Sequence, residues 1–324
     1  MNNKIIGQNK IKELFLKTLS SGKVGHCYTF VGEAGMGKST FTSFISKMIV
    51  CEHKTACGVC KSCVMAEAGT HPDIIRIVPE EDKSSISINV MRRMVEDIYI
   101  RPYSSDKKVY IINNFEKAMV PAQNAVLKAL EEPPEYVVFL LTVSSEKDVL
   151  ETVKSRSVML KMMPYTKEEV KLALSEHISE NDAEFISGLC GGNIGRGLQL
   201  TRNEGFKDLR ASVFEAICQL IKNGRIMPYA DLVKKENSDK ISDILDCSIS
   251  FFRDMIMHKI SQDALITNKD YSEITKELAD KVKTRNILKV MEDLIASGEH
   301  LKRNINYNLA VMSVVFGSME EING

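Results

Sequence analysis

The chain has 324 residues, 44% hydrophobic and 27% charged, with 43 Lys plus Arg against 43 Asp plus Glu. That length suits two or three domains, and the composition excludes a disordered or low-complexity chain. Zero net charge excludes a global field that would draw in nucleic acid or an anionic membrane, so any DNA contact must come from a local patch or from partner subunits. No apolar run approaches the roughly 20 residues of a membrane span, and residues 1–12 are polar and periodic rather than signal-like. Four of the eight cysteines are clustered and the others are single buried-type residues. That pattern points to a reducing compartment with one metal site, so the expected location is cytoplasmic and no membrane partner is expected.

Up to about residue 163, short runs rich in Val, Ile, Tyr and Phe alternate with helical spacing. Strands are predicted at 28–31, 74–78, 109–112, 137–142 and 158–162. Each is nearly continuous in hydrophobicity, as a parallel strand covered on both faces requires. The helical spacing falls between them, at Ile11-Leu14-Phe15-Leu19, Val90-Met94-Ile98 and Ala125-Val126-Ala129-Leu130. The fold class is α/β with a doubly wound parallel sheet. After Met163 the strands stop. Thr166 is the predicted cap of a new helix, with Glu169 closing a capping box. A small helical unit runs to about residue 204 through the Gly-rich stretch 191–197, and amphipathic helices fill 205–324. The expected domains are 1–163, 164–204 and 205–324.

Between the first strand and its helix lies Gly32-Glu33-Ala34-Gly35-Met36-Gly37-Lys38-Ser39-Thr40. This satisfies the P-loop pattern in the required strand–loop–helix setting. Glycines let backbone N–H groups close around phosphate oxygens, Lys38 supplies a point charge, and Ser39 Oγ would bind Mg²⁺ of ATP or ADP. Gly32, Gly35, Gly37, Lys38, Ser39 and Thr40 are therefore candidate nucleotide-binding residues. A hydrolase of this class also needs an Asp, usually followed by a Glu, at the end of a neighbouring strand. The matching strand here ends in Asn113-Asn114, which brings neither negative charge nor a general base. Glu116 sits two positions late and is expected to point elsewhere. The chain is therefore not expected to be an ATPase alone.

Directly after the P-loop helix come Cys51, Cys57, Cys60 and Cys63. Two overlapping C-x-x-C steps bring three thiolates to one ion and Cys51 supplies a fourth, a closed tetrahedral Zn²⁺ site of structural type within a 51–63 module. Gly58 fits the tight turn. His53 in place of Cys51, or free thiols, remain alternatives.

These features resemble a known family, the clamp-loader subunits of bacterial DNA polymerase III, the delta-prime and gamma/tau branch of the AAA+ class. Ile5-Ile6-Gly7-Gln8 is similar to the family's segment near the adenine. Gln123 to Pro134 is close to its most recognisable stretch, and Lys154-Ser155-Arg156-Ser157 is similar to its Ser-Arg-Cys motif with Ser157 for Cys. Arg196 falls where its second sensor arginine is expected, so the resemblance makes Arg196 a nucleotide-binding candidate. The motifs cover residues 1 to about 205; beyond that the likeness rests on layout and on the closing helix 307–311. The resemblance implies an AAA+ P-loop domain with a parallel sheet, a small helical lid and an all-helical C-terminal collar that joins a ring of subunits. It implies gamma/tau and delta subunits as partners, with the sliding clamp and primed DNA reached through the complex. It also implies that Arg156 acts in trans, as an arginine finger on a neighbour's ATP, in loading the clamp during replication. A guanidinium at the domain rim has the charge and reach for that; the plainer reading is a surface arginine pairing with Glu151. Two other readings of the chain are an active gamma/tau-like ATPase and a scaffold that binds no nucleotide. Thr142 is read equally as a nucleotide sensor or an ordinary strand end, Arg92-Arg93 with Arg101 as a solvated face, and the methionines from Met255 to Met319 as mostly core.

Overall fold

A computed structural model describes residues 5–79, 85–262 and 265–302. The strands are β1 (Cys27–Val31), β2 (Ile74–Ile77), β3 (Lys108–Ile112), β4 (Val137–Val143) and β5 (Val158–Lys161). Fifteen helices are described: α1 (Asn9–Ser20), α2 (Lys38–Val50), α3 (Lys61–Glu67), α4 (Ile88–Asp97), α5 (Val120–Ala125), α6 (Leu127–Glu131), α7 (Glu151–Lys154), α8 (Lys167–Leu174), α9 (Glu180–Leu189), α10 (Ile194–Arg202), α11 (Phe206–Asn223), α12 (Met227–Leu232), α13 (Ile241–Lys259), α14 (Ser272–Lys281) and α15 (Thr284–Lys302). The predicted closing helix 307–311, with Met312 and Met319, lies outside the described residues. Of the remaining methionines of that run, Met255 is fully buried and Met257 and Met291 are half-buried.

The five strands form one parallel sheet in the order β2-β3-β4-β1-β5. The central strands β1, β3 and β4 are buried at every position. This is why they read as nearly continuous apolar runs in the sequence. Strand periodicity then divides their side chains between two cores. On one face Tyr28, Phe30, Val109, Ile111, Val138 and Leu140 meet Phe15 of α1 and Phe41, Ile45 and Met48 of α2. The rings of Phe15 and Phe30, and of Phe30 and Phe41, lie 6.1 and 5.8 Å apart. On the other face Tyr110, Ile112, Phe139 and Leu141 meet Met91 and Met94 of α4, Ala122 of α5, Ala129 of α6 and Val153 of α7. Fully burying a side chain of this size contributes about 2–3 kcal/mol, so the sheet holds the site's strand ends rigidly.

The chain divides into two compact units, Met1–Glu169 with Gly192–Gly195, and Val170–Gly191 with Arg196–Gly324. Most of the stretch 164–204 thus belongs to the same compact unit as the helices that follow it. The predicted capping box forms: Thr166 N donates to Glu169 Oε2 at 2.9 Å, and Glu169 N donates to Thr166 Oγ1 at 3.2 Å.

In the second unit α13 packs against α9, α11, α14 and α15. Its Asp254 is wholly buried and accepts from Thr267 N, Asn268 N and Asn268 Nδ2 at 3.0, 2.7 and 2.7 Å. Arg210 of α11 lies over the rings of Phe185, Phe214 and Tyr271 and forks onto both oxygens of Asp270. Among the described residues no helix is long and apolar enough to cross a membrane.

Candidate nucleotide and metal sites

The phosphate loop leaves β1 and ends on the first turn of α2. Gly35 and Gly37 stand at φ +85° and +74°, the left-handed region in which glycine alone has no Cβ penalty. Lys38 is nearly buried, and its Nζ donates to the carbonyls of Gly32 and Glu33 at 2.5 and 2.9 Å. Burial lowers its pKa, and the charges of Glu116 and Glu33 partly offset that. Ser39 and Thr40 are exposed on the first turn.

The strand ends bring further groups to this loop. Asn113, at the end of β3, donates its Nδ2 to Ser39 Oγ at 3.2 Å. This is the position at which a metal-binding carboxylate is expected, and an amide occupies it. Asn114 turns left-handed at φ +53° and donates its N–H to Thr142 Oγ1 at 2.9 Å. Thr142 in turn donates to Asn113 Oδ1 at 3.4 Å. Thr142 therefore belongs to the cluster beside the loop.

Two features of the loop escape local sequence patterns. Glu116, expected to point away, accepts from Ser144 N and Oγ through Oε1 at 3.2 and 2.7 Å. Its Oε2 is buried without a hydrogen-bond partner among the described residues, and its charge is felt at Lys38. The loop apex is also held from the Gly-rich stretch, where Asn193 Nδ2 donates to Ala34 O at 2.8 Å and Gly195 N to Gly35 O at 2.9 Å. A Cβ on Gly195 would lie 2.5 Å from Gly35 Cα. The surplus of glycines at 191–197 was the available signal; nothing in it named the partner.

Arg196, the next residue, belongs to the second unit. Its Nη2 donates to Asp243 Oδ1 and Asp246 Oδ2 of α13 at 2.5 and 2.7 Å. Its guanidinium is thus engaged by two carboxylates.

Arg156 follows α7 on the first unit. Its Nη1 donates to Thr152 O and Ser155 Oγ at 2.8 and 3.1 Å, and its Nη2 to Glu131 Oε1 at 2.5 Å. Glu151, the acid suggested by sequence proximity, pairs with Lys154 instead. His26 Nε2 donates to the Arg156 carbonyl at 3.1 Å, and Thr29 Oγ1 to Ser157 Oγ at 3.1 Å. The motif is therefore tied to β1 by two side chains, His26 just before the strand and Thr29 at its centre. Arg92, Arg93 and Arg101 are exposed.

The four cysteines converge. Their sulfurs all lie within 4.8 Å of one another, with Cys57 and Cys63, and Cys51 and Cys60, 3.9 Å apart. A tetrahedral Zn²⁺ with bonds of about 2.3 Å has sulfur–sulfur edges of about 3.8 Å, so the set fits that ion. Cys60 N and Cys63 N each donate to the preceding ligand sulfur at 3.4 Å. Burial raises the Cys51 thiol, but N–H groups of Cys57, Thr55 and His53 outweigh it and bring it down to about 6, favouring the thiolate a metal takes. Gly58 has the left-handed φ of +78° that the turn needs. His53 is exposed and lies outside the cluster.

A phosphate loop on β1, with β4 inserted between β1 and the strand bearing Asn113, defines a P-loop protein of the AAA+ class. Comparison with known proteins narrows this. Residues 7–166 match a family model described as DNA polymerase III, delta subunit, and residues 204–316 one described as its C-terminal part. The chain is 26% identical over 294 residues to DNA polymerase III subunit delta' of Pseudomonas aeruginosa, covering 89% of each chain. It is 24% identical over 311 residues to the subunit delta' of Bacillus subtilis, covering 92% of each. The Escherichia coli subunit tau is 31% identical over 177 residues, 54% of this chain and 27% of that one. Among solved structures, a gamma-subunit-related protein of Thermotoga maritima aligns over 95% of this chain and 99% of that one, at 18% identity and a TM-score of 0.44. The chain belongs to the delta-prime and gamma/tau family of bacterial DNA polymerase III clamp-loader subunits.

Proposed function

We infer that this chain is a delta-prime-type subunit of the replicative clamp loader, which helps place the sliding clamp on primed DNA and does not hydrolyse ATP by itself. The observation that carries this reading is Asn113, whose amide meets Ser39 Oγ at 3.2 Å where a hydrolytic site needs a carboxylate. Asn114 cannot take a proton from water at neutral pH, so no general base follows. Glu116 is the nearest acid by its effect on Lys38, but one of its oxygens is committed to Ser144. It serves to balance the charge of Lys38.

The loop glycines, Lys38, Ser39 and Thr40 would bind ATP or ADP with Mg²⁺, and Arg196 would have to leave Asp243 and Asp246 to join them. Arg156 acts on the nucleotide of a neighbouring gamma/tau subunit, where its fixed charge stabilises the transition state in trans. Cys51, Cys57, Cys60 and Cys63 hold a structural Zn²⁺. The closed four-sulfur set supports that role, because it leaves no position for substrate. The helices of 205–324 form the collar that joins gamma/tau and delta subunits, and 164–204 the lid. Clamp and DNA are reached through that assembly, in the cytoplasm.

The test is equilibrium binding of labelled ATP to the isolated chain, followed by steady-state turnover of the same sample. Saturable binding that Lys38→Ala abolishes, without turnover, is the expected result. Turnover on the scale of seconds would overturn the non-hydrolytic reading and restore an active gamma/tau-like subunit.

A further inference from the structure

The stretch Glu131-Glu132-Pro133-Pro134 has no chemistry of its own that explains it. Proline at 133 and 134 ends α6, because it lacks the N–H a further turn would need. Glu131 is the last helical residue before that stop, so its backbone position is fixed by the break. Twenty-five residues later in the chain, Arg156 sits at the end of the turn after α7. The two meet at 2.5 Å, Nη2 to Oε1.

We propose that Glu131 is a positioning residue for Arg156, holding the guanidinium in the orientation in which it is offered to the neighbouring subunit's nucleotide. The proposal rests on the finger role of Arg156 inferred above. A guanidinium has five N–H donors in a rigid fork. Here three are used inside the chain: two from Nη1, on Thr152 O and Ser155 Oγ, and one from Nη2, on Glu131. The Nε–H and the second Nη2–H make no hydrogen bond among the described residues. One edge of the fork is thus tethered and two donors are left for an oxygen supplied from outside.

The three tethers have two origins. Thr152 O and Ser155 Oγ belong to the same turn as Arg156 and move with it. Glu131 belongs to a different element and is the only one of the three that ties the fork to the body of the domain. Glu151 is excluded from this task because it pairs with Lys154 at 2.8 Å. Glu132, the other member of the acidic pair, is exposed and lies past the helix end. A long side chain held this way loses less freedom on docking and meets the phosphoryl group in a near-attack geometry more of the time. The pair is partly exposed, at 31% and 48% of the two side chains, so its value lies in orientation more than in stability.

The experiment uses the reconstituted complex with neighbouring ATPase subunits, DNA and clamp, and reads kcat and KM for ATP. Arg156→Ala is the reference. Glu131→Ala is expected to lower kcat about three- to tenfold with KM for ATP unchanged. The isosteric Glu131→Gln, which keeps an acceptor oxygen, should recover most of that loss. In an Arg156→Ala background Glu131→Ala should change nothing further. Assembly on gel filtration should match wild type for every variant. If Arg156→Ala lowers kcat while Glu131→Ala does not, or raises it, the positioning role is wrong and the finger stands. If Arg156→Ala itself leaves kcat unchanged, the finger role fails. A loss from Glu131→Ala that persists without Arg156 would assign Glu131 a different task and overturn the proposal.

Discussion

Replacing Cys63 by Ser removes one sulfur from the four-cysteine set, and the structure gives the consequence a scale. Cys51 and Cys63 are fully buried and Cys60 nearly so, yet the buried cluster of the module contains cysteines and nothing else. Among the described residues the apolar anchor of the turn is Ala56, packed against the sheet-side core, so little else holds the turn without a metal. The turn also places Lys54 and Ala56 at φ +56° and +55°. Left-handed non-glycine residues cost about 1–2 kcal/mol each, some 2–4 kcal/mol together. Metal bound at the proposed site would offset this: with free ion at about a thousandfold its Kd, linkage contributes about 4 kcal/mol. In a domain of this size that corresponds to roughly 8–16 °C in Tm, an upper bound reached when the module unfolds together with the sheet. Helix α2 keeps its packing, because Phe41, Ile45 and Met48 belong to the sheet core and not to the module. Cys63→Ser should therefore lose its one equivalent of zinc, lower the Tm by no more than this, and speed amide exchange across 51–69 while residues 41–48 stay protected. Metal analysis, a thermal melt with and without chelator, and exchange mass spectrometry read the three effects. A Cys63→Ser protein that keeps a full equivalent of zinc, or a wild type whose melt ignores the chelator, would refute the argument.

Two further outcomes follow from buried carboxylates. Asp254→Ala should destabilise the second unit by about 3 kcal/mol in urea melts, because it strands three buried donors of Thr267 and Asn268; a loss under about 1 kcal/mol would show that the loop repacks. Burial tends to raise the Asp73 pKa, but the N–H groups of Tyr103 and Ser104 and the hydroxyls of Ser105 and Ser104 outweigh it, and the pKa is lowered. Its contribution is thus present above the unfolded value near pH 4 and lost as pH falls through the folded value. Asp73→Asn should cost about 2 kcal/mol at pH 7, with the gap to wild type narrowing below about pH 4; a gap independent of pH would sink this.

Much of the first unit was legible in the sequence because its physics is local. Strands buried on both faces must be continuously apolar, so β1, β3 and β4 stood out within a residue or two of their limits. The capping box at Thr166 and Glu169, the phosphate loop and the cysteine spacing are likewise short-range patterns, and the structure brings each set together. What was not legible depends on pairs far apart in the chain. Proximity offers Glu151 as the partner in the plainer reading of Arg156, yet a helix ended by proline delivers Glu131. Glu116 lies two positions past the place where an acid is expected, yet its charge reaches Lys38. Arg196 has no local acid, and two aspartates one turn apart on α13 hold it. The contact of Asn193 and Gly195 with the loop left only an excess of glycine as its trace.

The central claim is that this chain affects ATP turnover through Arg156, on a neighbour's nucleotide, and not through its own loop. Single-turnover hydrolysis by the assembled clamp loader tests this directly, with either Arg156→Ala or Lys38→Ala in this chain and all other subunits wild type. At the site the finger serves, Arg156→Ala should slow hydrolysis by about 10³-fold or more, while Lys38→Ala leaves every phase at the wild-type rate. The reverse pattern, with hydrolysis lost on Lys38→Ala and intact in Arg156→Ala, would contradict the account.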